Sequence, residues 1–446
     1  MPGGWRGLVL SPAGVARVEA LVDWLDDLPR LGDLVEAPRE DRGAWQPVAM
    51  ALRYDARTRR ETCGPRRRPG DGMKAQPLVA DSVDAIERQL QALRAGGFSP
   101  TLAIVFASIA HEMADVARVF RDAGIDVFGA SSSGEIVLGA TSEAIREGCI
   151  VALMLDLDRS AYGIRLVEQD GRTSHDLGVA AGRWARATFD RGPMVVLAAG
   201  LTTDGEQIVR GLQSEVGPDA AIFEGFAGDD WRLTRTYVFT GRKLSSEGIL
   251  VLAFDGDRVT LDGIASSGWV AVGAEKTVTK AEGNIVHTID GVPALDVYKD
   301  YLGLTSDTDL IIPEYPLQIQ RDGYTVLRAA LVALPETRSL VFAGTVPEGA
   351  KVRFSCSPGV AITDQALSEV RAFHDRVPDA DALILFSCKA RHFALGPLAE
   401  DEVGPMQRLW NVPMVGFYTY GEFGKNAAGA TDFHNETCVL VSLKGN

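Results

Sequence analysis

The stretch that decides the fold is Phe128-Gly129-Ala130-Ser131-Ser132-Ser133-Gly134-Glu135, which returns later as Val415-Gly416-Phe417-Tyr418-Thr419-Tyr420-Gly421-Glu422. In both stretches an apolar strand pattern runs into the spacing G-x-x-x-x-G-E. A shorter relative, Gly225-Phe226-Ala227-Gly228-Asp229, lies between them. Glycines at a strand end permit positive φ angles and let the backbone approach a ligand closely. The pattern therefore predicts three turns of one kind, each following a buried strand.

Each of these turns closes a unit of strand, helix and strand. In the first unit the apolar run at residues 102–106 precedes an amphipathic helix predicted over residues 111–123. In the second unit Thr203 and Glu206 have the spacing of a capping box at a helix start. Alternating strand-like stretches connect the units. Together these features predict an α/β fold in which mixed sheets are flanked by helices.

The domain organisation follows from charge and from breaks in the pattern. Residues 1–72 contain no lysine, have a net charge of +1 and include a tri-arginine at residues 66–68, whereas the rest of the chain has a net charge of -16. Two interpretations of residues 1–72 stay open. They are either an upstream extension from a misplaced start codon or a genuine appendage with one helix and a basic tail. A break near residues 303–309 predicts two domains after this leader, residues 73–305 and 306–446.

The composition excludes several classes of protein. With 45 Lys+Arg against 60 Asp+Glu, the chain lacks the clustered cations that a nucleic acid requires. No apolar run approaches the ~18–20 residues of a membrane-spanning helix, and no secretory signal peptide is present, so we expect no membrane insertion and a cytoplasmic location. Five scattered cysteines without C-x-x-C indicate neither a disulfide framework nor a zinc site.

Common catalytic signatures are missing from the sequence. It contains no P-loop, no G-x-G-x-x-G and no nucleophile elbow. The histidines are isolated, so we expect neither an enzyme nor a metal site. One alternative is an enzyme that uses Cys388 as its nucleophile, with a histidine brought close by the fold.

The motifs resemble those of the FIST family. The turn at residues 128–136 is similar to the FIST N-terminal domain, as are Leu201-Thr202-Thr203-Asp204-Gly205-Glu206 and Ile289-Asp290-Gly291-Val292-Pro293. Five further stretches resemble the FIST C-terminal domain: Leu327-Arg328, Val346-Pro347-Glu348-Gly349, Phe386-Ser387-Cys388 with Arg391, the turn ending at Glu422, and Phe433-His434-Asn435-Glu436-Thr437. The resemblance covers about residues 78–446. It implies a bacterial, two-domain sensory protein of signal transduction that binds small ligands such as amino acids.

The resemblance also implies a mode of action. Related bacterial chains carry output domains, and none is recognised here. We therefore expect a sensor that acts on a partner in trans, either a histidine kinase or a cyclase.

The glycine turns and the resemblance together predict a ligand cleft between the two domains. Glu135 and Glu422 would hold an ammonium group, and Arg391 would bind a carboxylate with both of its terminal nitrogens. The alternative for Arg391 is an ion pair with a neighbouring acid. The predicted ligand-binding residues are Ser131, Ser133, Gly134, Glu135, Gly228, Asp229, Arg391, Tyr418, Gly421 and Glu422.

A second function stays open through the resemblance, because some family members bind haem and sense nitric oxide in partnership with a histidine kinase. A haem iron needs an axial ligand in an apolar pocket. His287 and His434 are the candidates, although an isolated histidine is more often a surface residue or a hydrogen-bonded core residue. No other cofactor is expected.

Overall fold

We analysed a computed structural model of the chain. The predictions made for residues 1–72 lie outside the part of the chain that it describes, and so does most of the expected break at residues 303–309. The described residues confirm the predicted α/β fold, with mixed sheets and helices on their outer faces. The structure describes residues 73–139, 143–303, 315–321, 323–359 and 361–446.

Three sheets in the described part have six strands each and the same internal order. Sheet I consists, in order, of β1 (Lys74–Ala80), β6 (Ile150–Asp156), β2 (Leu102–Ala107), β3 (Asp126–Ser131), β10 (Val238–Phe239) and β11 (Leu244–Ser245). Sheet II consists of β7 (Tyr162–Glu168), β12 (Gly248–Phe254), β8 (Met194–Ala198), β9 (Ile222–Phe226), β24 (Glu422–Lys425) and β25 (Thr431–His434). Sheet III consists of β13 (Val259–Ser266), β26 (Cys438–Gly445), β22 (Ala382–Cys388), β23 (Met414–Thr419), β4 (Glu135–Leu138) and β5 (Ile145–Arg146).

The hairpin that follows each glycine turn crosses into a different sheet. The central parallel pairs are β2 with β3, β8 with β9, and β22 with β23, as the three predicted units require. The hairpin β4–β5 leaves sheet I and pairs with β23 of sheet III. In the same way β10–β11 passes from sheet II to β3 of sheet I, and β24–β25 passes from sheet III to β9 of sheet II. The exchange is cyclic, so each unit completes the sheet of another.

The inner faces of the three sheets share one hydrophobic core. Phe106 of sheet I stacks on Phe417 of sheet III with 4.4 Å between ring centroids, and Phe386 meets both rings edge-on. Removing one such ring from a core typically costs about 3–5 kcal/mol of stability. This core explains why the central strands read as nearly continuous apolar runs.

Helices cover the outer face of each sheet. Gly178 and Gly211 let two of them pack closely, because a Cβ atom on Gly178 would lie 2.0 Å from the carbonyl oxygen of Ile208. Ser82 and Thr173 cap two of the helices through their hydroxyl oxygens. The eight α-helices of the described residues are α1 (Val83–Ala95) and α2 (Met113–Asp122) on sheet I, α3 (Ser174–Thr188) and α4 (Gly205–Val216) on sheet II, α6 (Ala361–Arg376) and α8 (Leu398–Trp410) on sheet III, α5 (Ala294–Leu302), and α7 (Lys389–Leu395) directly after β22.

A fourth sheet, sheet IV, is inserted in the third unit between β13 and α6. It packs with α5 around its own hydrophobic core, which contains Tyr298, Phe342 and Phe354. Its strands are β18 (Thr325–Arg328), β17 (Leu317–Gln320), β21 (Lys351–Cys356), β14 (Val270–Glu282), β15 (Ile285–Ile289), β20 (Ser339–Phe342) and β19 (Ala330–Leu334), with β16 (Val292–Pro293) beside β15.

The residues on either side of the predicted boundary at 305/306 share sheets. Strand β13 pairs with β26, β14 pairs with β21, and β9 pairs with β24. The described residues between 73 and 446 accordingly fall in one compact unit. The position of the boundary itself stays a prediction.

Candidate functional site

The three glycine turns meet at one end of the common core. Because each exchanged hairpin starts directly from its turn, the cyclic exchange brings all three turns together. Backbone hydrogen bonds join each turn to both of the others: Gly228 N–H to Ser131 O at 3.0 Å, Ser133 N–H to Tyr418 O at 3.1 Å, and Phe226 N–H to Gly421 O at 3.0 Å. The turns thus form a single structure rather than three separate loops.

Glu135 is the first residue of the exchanged strand β4, and its side chain is fully buried. Its carboxyl accepts hydrogen bonds from the Ser132 hydroxyl and, at 3.1 Å, from the backbone N–H of Cys149. Burial raises the pKa of Glu135 to about 7, against the opposing effect of these two hydrogen bonds. At neutral pH this carboxyl therefore stands near its titration midpoint.

Glu422 occupies the corresponding place at the start of β24 and is also fully buried. Its carboxyl accepts from the Thr419 hydroxyl and, at 3.0 Å, from the Thr437 hydroxyl. Burial raises the pKa of Glu422 to about 8. The hydrogen-bond partners of Glu135, Ser132 and Cys149, differ from those of Glu422, Thr419 and Thr437, so each acid lies in its own polar pocket. A shared role in one cleft stays a prediction.

The remaining predicted residues of the first turn mainly hold the turns together. Ser131 donates its hydroxyl to Gly228 O at 2.6 Å and accepts the backbone N–H of Tyr237 at 2.8 Å. The hydroxyl oxygen of Ser133 accepts the backbone N–H of Trp231 at 3.3 Å. Gly134 has a φ of 111°, which only glycine adopts readily. A Cβ atom on Gly134 would also lie 3.0 Å from the Tyr418 ring.

The other predicted glycines lie in similarly tight places. A Cβ atom on Gly228 would lie 2.4 Å from the Ser133 hydroxyl oxygen, and one on Gly421 would lie 2.5 Å from the Phe433 ring. Both glycines therefore permit close packing between turns and neighbouring strands. A ligand contact by either residue stays a prediction.

Asp229 organises the long turn of the second unit. Its carboxylate accepts the backbone N–H groups of residues 233, 234 and 235 at 2.9, 2.7 and 2.9 Å, and it also accepts the Tyr420 hydroxyl. Because these donors occupy its oxygens, Asp229 holds the turn in shape. Residues Asp230, Trp231 and Leu233 in this turn have φ angles of 53°, 63° and 52°. Left-handed conformations in non-glycine residues cost energy and concentrate at functional sites.

Arg391 lies inside the protein with its charge already neutralised. Its guanidinium forms a two-pronged ion pair with Glu402 and donates to the backbone carbonyls of Ser267 and Glu436. The Trp269 ring packs against it at 5.2 Å from the centroid. The structure therefore shows the alternative predicted for Arg391, which is an ion pair with a neighbouring acid.

A different cation, Lys389, lies where the turns meet, and we had not predicted it. The residue is only 5% exposed. Its Nζ donates to the Nδ1 atom of His392 at 3.1 Å and to the Glu147 carboxylate at 3.2 Å. The same Nζ lies 5.0 and 5.6 Å from the ring centroids of Phe393 and Tyr418, within cation–π range. Aromatic walls on two sides thus enclose a buried ammonium group.

Further aromatic and acidic groups complete what we name the loop-end cluster. His392 stacks on Tyr418 at 4.0 Å, and burial lowers the pKa of His392 to about 4, which keeps the ring neutral. Trp231 contacts the rings of Phe393 and Tyr420 edge-on at 5.1 and 5.5 Å. The loop-end cluster comprises Glu147, Asp230, Trp231, Lys389, His392, Phe393, Tyr418 and Tyr420. Among these, the sequence prediction contained only Tyr418.

Asp230 supplies the acidic group of the cluster. It is partly buried, and its carboxylate accepts the Ser108 hydroxyl at 2.7 Å. Burial raises the pKa of Asp230, while the charges of Arg232 and Lys389 oppose this shift. The Asp230 carboxylate thus lies within electrostatic range of the Lys389 ammonium group, and Phe393 beside Lys389 is 40% exposed.

The two histidines considered as haem ligands do not fit that role. His434 is buried and its Nε2 atom hydrogen-bonds to the carbonyl of Gly424 at 3.2 Å. His287 lies in sheet IV and its Nδ1 atom bonds to the Ser339 hydroxyl at 2.9 Å. Two surface depressions, of about 290 and 270 Å³, contain no histidine and none of the predicted site residues. No haem chemistry is therefore assigned to either histidine.

Cys388 is poorly suited to act as a nucleophile. It is 5% exposed, and burial, followed by the nearby Glu422 charge, raises the pKa of the Cys388 thiol well above its usual value. A protonated thiol is a weak nucleophile. In the ranges that the structure describes, no three His, Cys, Asp or Glu side chains are grouped so as to hold a metal ion. Nor is any described helix long and apolar enough to cross a membrane.

Comparison with known protein families agrees with the motifs. The FIST N domain family matches residues 101–292, and the FIST C domain family matches residues 294–425. The boundary between the two matches falls within sheet IV, directly before α5. No curated protein is detectably similar to this chain.

Proposed function

Because this chain belongs to the FIST family, whose domains are associated with signal-transduction sensing, we propose that it senses a small amino-acid-like molecule bound at the loop-end cluster. The observation that carries the proposal is Lys389, a nearly buried ammonium group between the rings of Phe393 and Tyr418. Binding sites typically combine an apolar wall with a few convergent polar groups.

The charges of the cluster match those of a zwitterion. Lys389 would bind the ligand carboxylate, and Asp230 would bind the ligand ammonium group. The present partner of Lys389 is Glu147, whose side chain is 69% exposed, so a ligand can displace it at little cost in desolvation. The rings of Trp231, Phe393 and Tyr420 would cover the apolar part of the ligand.

The cluster also has the location expected of a cleft between domains. Asp230 and Trp231 lie in the segment that matches the FIST N domain, whereas Lys389, Phe393 and Tyr420 lie in the FIST C domain segment. In this proposal the anchoring charges are Lys389 and Asp230, and Arg391, Asp229, Glu135 and Glu422 support the turns around them.

A signal can leave the cluster through α7. This helix carries Lys389 and Phe393 and reaches Leu395, which packs with Leu327 of sheet IV and with Trp269. A ligand that moves α7 would therefore change the relative populations of the conformations of sheet IV. We propose that the response is transmitted in the cytoplasm to a partner in trans, a histidine kinase or a cyclase.

A thermal-shift screen of the full chain against the common amino acids tests the proposal, because binding to the native state raises the unfolding midpoint. The responding amino acid should lose its effect in Lys389→Gln and keep it in Lys299→Gln, a control on α5. Loss of one charged hydrogen bond corresponds to roughly tenfold weaker binding or more. An unchanged response in Lys389→Gln would exclude this site.

A further inference from the structure

A second group of charges lies where sheet IV meets the start of α4 and strand β25. We name it the junction network, and it comprises Glu206, Arg210, Arg321, Arg328 and Asp432. Three of the sequence motifs meet here: Leu201–Glu206 at the start of α4, Leu327-Arg328 in β18, and Phe433-His434 in β25. The loop-end cluster contains none of these residues, so the proposed sensory site does not account for them.

Arg328 is fully buried and only partly satisfied. Its Nη1 atom donates to the carbonyls of Leu327 and Phe433 at 2.9 and 3.0 Å, and its Nε atom donates to Thr345 O at 3.2 Å. Its Nη2 atom has no hydrogen-bond partner among the described residues and faces the Glu206 carboxylate across 3.6 Å. That separation is an ion-pair contact but is too long for a hydrogen bond.

Arg321 repeats this pattern on the other side of Glu206. Its Nη2 atom lies 3.6 Å from Glu206 Oε1, and its Nε atom lies 3.7 Å from the Asp432 carboxylate. In the described part of the chain, both nitrogens are buried without a hydrogen-bond partner, and so is Glu206 Oε2. Buried charges without hydrogen bonds do not recover their cost of desolvation, and such groups point to a missing polar partner.

Glu206 also has a hydrogen-bond partner that reaches the solvent, Arg210. Its Oε1 atom accepts a hydrogen bond from Arg210 at 2.6 Å, one helical turn further along α4, and the Arg210 side chain is 57% exposed. Glu206 lies in the first turn of α4, where Asp204 is the N-cap through its bond to the Gln207 N–H at 3.2 Å. The predicted capping box of Thr203 and Glu206 is therefore wrong, because Thr203 donates its hydroxyl to Ala199 O instead. Glu206 is thus free of a capping role.

We propose that Arg321 and Arg328 form a binding site for the carboxylate of a small molecule, which Glu206 occupies as an internal competitor in the free protein. A guanidinium pair suits a carboxylate because its N–H groups match both oxygens. The Glu206 side chain itself places a carboxylate between the two guanidinium groups. When a ligand carboxylate enters, Glu206 turns outward with Arg210, and no charge is left unpaired.

Calorimetric titration of the full chain with acetate and with succinate tests this site, with sodium chloride at equal ionic strength as the blank. Replacing Glu206 by glutamine removes the competing charge, so E206Q should bind acetate or succinate roughly tenfold more tightly than the wild type. Arg321→Gln, at a partly exposed position, should weaken the binding by a similar factor. Arg210→Gln should also weaken carboxylate binding, because Glu206 then has only the buried arginines as ion-pair partners.

The outcomes separate this site from the loop-end cluster. Trp231→Ala should leave the carboxylate titration unchanged, even if the proposed amino-acid response is lost. If E206Q binds neither carboxylate more tightly than the wild type, the competitor role of Glu206 is wrong. If E206Q does not fold, equal titrations for wild type, Arg321→Gln and Arg210→Gln would overturn the proposal on their own.

Discussion

The first and third units differ from the second at one corresponding position. The exchanged strands of units one and three begin with buried acids, Glu135 and Glu422, which pair with Phe417 and Gly225. The exchanged strand of unit two begins with Val238, which pairs with Ala130. The three positions are equivalent in the sheets, so the chain contains its own internal comparison.

The neighbours of this position change together with it. In each unit one strand residue pairs with the start of an exchanged strand: Ala130 in unit one, Phe417 in unit three and Gly225 in unit two. Two residues later in the chain, units one and three have the hydroxyl donors Ser132 and Thr419, whereas unit two has Ala227. At this position the acid occurs in the two units that have the hydroxyl donor, and a valine occurs in the unit that lacks it. The acids thus belong to the architecture of the turns. Unit two instead has the long turn that carries Asp230 and Trp231, and we place ligand recognition there.

The largest effect is expected from introducing the acid into unit two. Val238→Glu would place a carboxyl at a fully buried position, in the unit whose turn has Ala227 in place of the hydroxyl residue, and should lower the free energy of unfolding by roughly 3–5 kcal/mol at neutral pH. Urea denaturation measures the loss. Adding Ala227→Ser should restore part of it, and a Val238→Glu variant as stable as the wild type would show that the hydroxyl donors do not matter.

A pH-dependent effect of similar size is expected from removing an acid. Because the pKa of Glu422 is raised to about 8 in the folded protein, its proton stabilises the fold at low pH, and this contribution is lost as the pH rises from about 5 to 9. The shift corresponds to a change on the order of 4 kcal/mol.

Glu422→Gln cannot titrate, so its stability should fall less over this pH range than that of the wild type. Glu135→Gln should show a smaller change, because the pKa of Glu135 is raised only to about 7. Denaturant midpoints measured across the pH range give both slopes. Equal slopes for wild type and Glu422→Gln would mean that Glu422 is ionised in the folded state throughout.

A smaller effect is expected in the turn of unit two. Asp229→Asn weakens the charged acceptor of three backbone N–H groups and should cost about 1–3 kcal/mol. Hydrogen exchange of the amides at residues 233–235 should become faster, while exchange in the turns of units one and three stays as in the wild type. Unchanged exchange at residues 233–235 would show that the turn keeps its conformation without the charge of Asp229.

The sequence predicted the α/β architecture correctly. Strands, helices and glycine turns are local patterns, and they located all three units. The hairpin exchange depends on pairing between residues far apart in the chain, such as Glu422 with Gly225, and no local pattern encodes it. The structure brings the three turns together through backbone hydrogen bonds, while the ligand cleft predicted from them stays a prediction.

Adjacent residues near the turns face different surroundings, which the sequence alone does not distinguish. Arg391 and Lys389 are two residues apart in α7, yet Glu402 of α8 neutralises Arg391 inside the protein while Lys389 faces the turns. Asp229 and Asp230 are neighbours, yet backbone amides occupy Asp229 and leave Asp230 beside the aromatic rings. Which member of each pair is available depends on packing between distant segments.

Calorimetric titration with the amino acid that raises the thermal midpoint tests the central claim most directly. Wild type, Trp231→Ala and the matched control Trp184→Ala, on α3, are compared at one pH. If the loop-end cluster is the sensory site, Trp231→Ala should bind at least roughly tenfold more weakly, because it loses a large aromatic contact, and Trp184→Ala should bind like the wild type. Equal affinities for wild type and Trp231→Ala would contradict the account.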